Sequence, residues 1–158
     1  IYQNAAVAQI ENHGGQIDKF MGDGILATFG AVEESKCHAA DALRAAIGVV
    51  DAVQAVEPDI RAAGWKGVFR PGVAVASGVV TVGVVGARNR LEFTVIGTPV
   101  NLAAKLEAAN KVEGTKILTE ARTYDLAVAQ GYFGPTPERR SGRQIQGFSS
   151  PLDLVILA

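Results

Sequence analysis

Asp23 stands between Gly22 and Gly24, four residues after Lys19, in the run Gly15-Gln16-Ile17-Asp18-Lys19-Phe20-Met21-Gly22-Asp23-Gly24. A carboxylate on such a tip is a hard oxygen donor of the kind that magnesium or manganese takes. Flanking glycines permit a tight turn and a close backbone approach to a ligand, and turn amides can face phosphate oxygens. Asp-Gly is equally one of the commonest hairpin dipeptides, so on pattern alone a plain turn is the better reading. Strict alternation along a strand predicts Lys19 and Met21 on one face, with Asp18 and Phe20 on the other.

A second group lies downstream. Asn101 and Lys105 are spaced i and i+4, which places an amide and a cation on one face near a helix start. The helix dipole makes that a good phosphate-facing pair, and a solvated polar stripe is the plain alternative. His13 and His38 have no ligand-like spacing and read as surface residues; Trp65 reads as a local packing anchor in a loop, with an interface contact as the alternative.

The elements that must position these groups follow from periodicity and punctuation. Residues 1–13 read as a helix stopped by Gly14-Gly15. Strands are expected over 16–21 and 25–29, then an amphipathic helix over 35–56, capped by Ser35 and ended by Pro58. Further strands are expected over 72–77, 79–85 and 91–96. Thr98 as a hydroxyl cap and Pro99 at the first helical position open a helix running to about Asn110. A strand over 116–119, a helix over 120–129, a polar loop over 135–143 and a strand pair over 144–147 and 152–157 complete the chain. This order predicts an α+β fold, with helices packed over one mainly antiparallel sheet.

The chain's 158 residues suit one domain with a proper core, and a net charge of −1 argues against general nucleic-acid binding. Cys37 is the only cysteine, which rules out an intrachain disulfide and a cysteine-based zinc site and suits a reducing, cytoplasmic setting. No apolar run is long enough for a membrane span, and no signal peptide is visible. The chain opens at Ile1, inside a helical pattern, so it is expected to be a piece of a longer polypeptide.

Gly14-Gly15-x-Ile17-x-Lys19-Phe20-x-Gly22-Asp23, then Phe29-Gly30, then Phe93-Thr94-Val95-Ile96-Gly97-x-x-Val100-Asn101-x-Ala103-Ala104-Lys105-Leu106-Glu107 resembles the class III adenylate/guanylate cyclase catalytic domain. Gly78, Gly83 and Gly86 match that family's glycines between the two blocks, and the resemblance covers essentially all of residues 1–158. It implies a ferredoxin-like, palm-type domain that works as a homodimer, with active sites at the dimer interface and regulatory or sensor domains elsewhere in the polypeptide. It implies attack of the ribose 3′-hydroxyl of ATP on the α-phosphate, giving cyclic AMP and pyrophosphate with two Mg2+ or Mn2+ ions. The alternative is a degenerate cyclase-like domain that binds nucleotide or dimerises without turnover.

By position, the resemblance makes Asp23 the second of two metal-binding aspartates. Lys19 and Thr94 become the base-reading pair, with Phe20 and Gly22 beside them. A donor at Lys19 suits N1 of adenine, an acceptor, and conflicts with the N1–H of guanine. Asn101 matches the ribose-orienting residue. Three departures are visible. The family's first metal aspartate would precede Ile1. Lys105 stands where arginine is usual, keeping the charge and losing the planar fork. Gln146 stands where many members carry a triphosphate-binding lysine, with Arg143 nearby as a possible substitute. Arg88 and Arg90 fall where the family extends a dimer-contacting arm.

Overall fold

The computed structural model describes residues 1–158 as five helices and eight strands: α1 (Tyr2–Asn12), β1 (Gln16–Met21), β2 (Gly24–Thr28), α2 (His38–Ala55), α3 (Glu57–Ala62), β3 (Val73–Val75), β4 (Thr81–Ala87), β5 (Arg90–Ile96), α4 (Thr98–Glu113), β6 (Ile117–Glu120), α5 (Ala121–Ala129), β7 (Glu138–Arg143) and β8 (Leu152–Ile156). The fold is mixed α+β, with helices packed on sheet, as expected for a ferredoxin-like palm-type sandwich. The strands form three ladders: a four-stranded sheet in the order β3-β6-β8-β7, and two hairpins, β1-β2 and β4-β5. Only the β3–β6 pair is parallel.

The centre is α2, whose alanine-rich face lets neighbours approach closely. Ala39, Ala40 and Leu43 pack with Tyr124 and Ala127 of α5 and Val155 of β8. One turn further along, Ala46 and Val50 meet Ile117. Leu43 is fully buried, so its truncation to alanine would cost about 2–5 kcal/mol. Ser35 does not cap this helix. Its Oγ accepts from the Cys37 amide at 3.1 Å, while the first helical amides, Ala39 and Ala40, donate to Oε1 of Gln130 at 2.8 and 3.2 Å. A residue ninety positions away thus satisfies the orphan donors of the helix start.

Helix α4 lies over β6 and β8 through Leu102 and Leu106, packed with Leu118, Leu154 and Ile156. Buried Asn110 stitches α4 to the sheet, donating from Nδ2 to the Val73 carbonyl at 2.9 Å and accepting from Thr115 at 2.8 Å. Gly97, rather than Thr98, is the cap residue of α4, without a side-chain cap bond, and Thr98 and Pro99 lie inside the first turn. Pro58 opens α3 rather than simply ending α2.

Two further differences concern the C-terminal third and Trp65. The expected polar loop over 135–143 contains strand β7, which pairs antiparallel with β8, and residues 144–147 are the connection. The sequence Glu138-Arg139-Arg140-Ser141-Gly142-Arg143 lacks the apolar alternation of a half-buried strand because β7 is an edge strand. Charge on such an edge discourages further pairing. Its arginines find partners on α4: Arg140 and Arg143 both bond the Glu113 carboxylate. Trp65 is exposed rather than packed into the core.

Candidate functional site: a Lys19–Thr94 cluster and an open groove

The hairpin that carries Lys19 and Asp23 is held by close packing at its base and by a two-residue loop at its tip. A Cβ on Gly15 would lie 2.6 Å from Ile10 Cγ2 and 2.5 Å from the Phe29 ring, so only glycine lets α1 and the hairpin close together there. At the tip Met21 pairs with Gly24, which leaves Gly22 and Asp23 as the loop. Gly22 has φ +63°, as the first central residue of a II′-type turn requires. The turn is therefore Gly22-Asp23 rather than Asp23-Gly24, and it holds the Asp23 side chain out in solvent.

Register shifts between Ile17 and Lys19: Ile17 pairs with Ala27 and Lys19 with Leu26, so Asp18 is the extra residue of a β-bulge. A bulge breaks the alternation of faces. This overturns the expectation that Asp18 points away from Lys19, since Asp18 Oδ2 lies 3.7 Å from Lys19 Nζ. The same oxygen accepts the hydroxyl of Thr94 at 2.7 Å. Lys19 Nζ also meets Glu92 Oε1 at 2.8 Å. Glu92 and Thr94 are two apart on β5 and share the face turned to β1, while Leu91 and Phe93 project from the other face. The Glu92 hydrogen bond comes first among the causes that raise the Lys19 pKa; both carboxylates add to it and desolvation works against it. Thr94 is buried, and the Asp18 side chain is only 7% exposed.

Asn101 and Lys105 are both exposed on α4, one turn apart, as their spacing predicts. A Cβ on Gly147 would lie 3.2 Å from Lys105 Cε, so the lysine stem runs against the turn that also carries exposed Gln146. Arg143 does not stand free to replace a phosphate-binding lysine, because it bonds Glu113 at 3.0 Å. Phe20 is exposed on the hairpin, one residue from Lys19. Lys19 and Thr94 thus meet through Asp18, and Asn101, Lys105 and Gln146 gather on the α4 side. Asp23 lines one groove together with Asn101, while Lys19, Thr94, Lys105 and Gln146 lie outside it.

Asp23 sits at the rim of this groove, of about 1120 Å³ between β2 and β3. Most of its lining is apolar, including Ile25, Ala27, Val73 and Val75, and both bordering strands are outer strands of their ladders. Glu107 and Tyr2 share this space with Asp23. Burial raises the Glu107 pKa first, and the charge of Asp23 raises it further. No group of three or more His, Cys, Asp or Glu converges in residues 1–158 to hold a metal ion. Asp23 offers one hard oxygen donor, so this donor set does not fit a two-ion site.

Glu92 is legible in the strand period, two residues before Thr94. Asp18 is not, since a bulge leaves no mark in the residue types. Glu107 stands in the family-like run after Asn101, but its relation to Asp23 is purely spatial.

The family model described as the adenylate and guanylate cyclase catalytic domain matches residues 6–141. Among curated proteins, an uncharacterized protein of Mycobacterium tuberculosis is 39% identical over 121 residues, covering 77% of this chain and 21% of that protein. Adenylate cyclase 1 of Rhizobium meliloti is 38% identical over 106 residues, covering 67% of this chain and 16% of that protein. The chain thus spans about a fifth of the length of the curated relatives it matches. Among solved structures, the adenylyl cyclase CyaB of P. aeruginosa superposes with a TM-score of 0.81 at 28% identity, covering 99% of this chain and 78% of that one. A guanylyl cyclase superposes with a TM-score of 0.75 at 27% identity, covering 98% and 75%. Structures named for either activity superpose at nearly the same identity, 28% and 27%, so the overall likeness does not choose between adenine and guanine. No helix is long and apolar enough to cross a membrane. With matching motifs, matching fold and a family model spanning most of its length, the chain belongs to the adenylate/guanylate cyclase catalytic domain family.

Proposed function

We propose that residues 1–158 form a cyclase-type domain that binds an adenine nucleotide and pairs with a second copy without turning the nucleotide over. The observation that carries this reading is the shared Asp18 oxygen, 2.7 Å from Thr94 Oγ1 and 3.7 Å from Lys19 Nζ. It ties a cation and a buried hydroxyl to one carboxylate oxygen, which brings a donor and a hydroxyl to the same end of the hairpins. The lysine donates to N1 of adenine, whereas guanine presents N1–H there. Glu92 is the exposed group that must yield Lys19 when a base arrives. Exposed Phe20, Met21, Val84, Leu91 and Phe93 support a homodimer, because such apolar side chains on neighbouring hairpins favour a covered interface.

The second reading is an adenylate cyclase that makes cyclic AMP and pyrophosphate from ATP. It is favoured by the grouping of Asn101, Lys105 and Gln146, and by the name of the Rhizobium meliloti relative. In that reading Lys19 and Thr94 orient the base, Asn101 orients the ribose, and Lys105 places positive charge at the α-phosphate. It requires a further carboxylate beside Asp23 for Mg2+ or Mn2+. The groove between β2 and β3 suits an apolar strand carrying it, since each bordering strand has a free edge.

Two measurements on the intact protein separate the readings. Titration with a fluorescent ATP analogue, competed by ATP and GTP, tests binding. Incubation with ATP and Mn2+ at dimer-forming concentrations tests cyclic AMP formation. ATP-preferring binding without product supports the first reading, and product supports the second. Failure to bind ATP overturns both.

A further inference from the structure

We propose that Asp18 is a positioning residue for base selection: by accepting the hydrogen bond of the Thr94 hydroxyl, it leaves that oxygen as an acceptor and so favours a 6-amino over a 6-oxo purine. The inference rests on the nucleotide-binding reading above.

A threonine hydroxyl has one proton and two lone pairs, and by itself it serves as donor or acceptor. It therefore cannot distinguish the amino group of adenine from the carbonyl of guanine or hypoxanthine. Here its proton is committed, because Thr94 Oγ1 donates to Asp18 Oδ2 at 2.7 Å. An ionised carboxylate carries no proton to return, so the polarity of this bond is fixed. Thr94 is buried and the Asp18 side chain is nearly so, which shields the bond from competing water. The remaining lone pairs of Thr94 can only accept.

Asp18 reaches this position through the bulge at Ile17–Lys19. Without the bulge its carboxylate would lie on the opposite face of β1. Lys19 is not consumed by the arrangement. Its close partner is Glu92, at 2.8 Å on an exposed side chain, and an ammonium has three protons to distribute. The pair then presents a donor from Lys19 and an acceptor from Thr94, which matches N1 and the 6-amino group of adenine.

The test compares ATP with inosine triphosphate, which carries a 6-oxo group, by competition for a fluorescent ATP analogue on the intact protein. Inosine also carries N1–H, but its conflict with Lys19 is common to all the proteins compared and cancels from the change in preference. Asp18→Asn keeps the shape and lets an amide N–H donate to Thr94, freeing the threonine proton to face the base. The preference for ATP over inosine triphosphate should fall about tenfold, the scale of one hydrogen bond. Adding Thr94→Asp to Asp18→Asn restores a group that only accepts and should restore the preference. A structural role would weaken both nucleotides by the same factor, and that result, or an unchanged preference, overturns the proposal. Should Asp18→Asn fail to fold, Thr94→Val replaces it: an unaltered preference there also overturns the proposal. If the unmodified protein binds neither nucleotide, the nucleotide reading falls and this one with it. If it binds ATP and Asp18→Asn leaves the preference unmoved, only the role of Asp18 falls.

Discussion

Two regions of this domain carry the residues expected to touch a nucleotide, and they are built differently. The base-reading cluster of Asp18, Lys19, Glu92 and Thr94 is assembled within one chain, with each polar group already paired at 2.7 to 3.7 Å. Asn101, Lys105 and Gln146, expected to face the phosphates, are exposed, and Asn101 shares the groove with Asp23. Strands of two hairpins fix the first region, because neighbouring strands hold side chains at set distances. A single helix face and two turns present the second, where only a ligand or further polypeptide would hold the groups in register. In the proposed reading, preorganisation is placed where selection among bases is needed, and the exposed groups are left to gather around the triphosphate.

The largest effect should come from inverting the ordered region. Lys19→Glu replaces the donor toward N1 and sets a third carboxylate beside Asp18 and Glu92. ATP affinity should fall at least about a hundredfold in a nucleotide titration, the scale expected when a charged hydrogen-bond partner is lost and repulsion added. Retained affinity would break the comparison, because the base would then not be read there.

Asn101→Ala probes the open region and should behave in the opposite manner. The side chain is exposed, so the melting temperature should stay within a degree or two. If the intact protein makes cyclic AMP, kcat should fall about tenfold or more through lost substrate orientation. A drop in melting temperature instead would assign Asn101 to the scaffold.

Glu113 sharpens the contrast from outside both regions. Burial opposes its ionisation, yet hydrogen bonds and charge from Arg140 and Arg143 outweigh that and hold its pKa below the ordinary value of 4.5. A lowered carboxylate pKa stabilises the fold above the unfolded-state value, and that stability is lost as pH falls through the folded-state value. Glu113→Gln should therefore cost about 1–3 kcal/mol near neutral pH in denaturant unfolding. The difference should shrink below pH 4.5, and a pH-independent difference would contradict the assignment. The smallest effect is expected from Lys105→Arg, which retains the charge and adds a planar fork. Activity equal to or above that of the unmodified protein supports a phosphate-facing role, and a clear loss speaks against it.

Much of this was legible in the residues. Lys19 and Asp23 on a glycine-closed hairpin, Asn101 and Lys105 on one helix face, and the order of helices and strands through residue 129, short α3 excepted, follow from local periods and turn chemistry. The errors cluster where local rules yield to distant partners. The start of α2 is satisfied by Gln130 rather than Ser35. Strand β7 has no apolar period because it is an edge strand, its Arg140 and Arg143 held by Glu113 on α4 and its Arg139 by Asp125 on α5.

The sequence by itself determined the family, the hairpin, the α4 face and the residue types available to read a base, since these depend on spacing along the chain. Tertiary structure alone decided what those residues can do together. A one-residue bulge turned Asp18 toward Lys19 and Thr94, and a hydrogen bond across two hairpins fixed which way the Thr94 proton points. The fold likewise set Asp23 against Glu107 across an open groove. Such relations are distances between side chains far apart in the chain, and no local period encodes them.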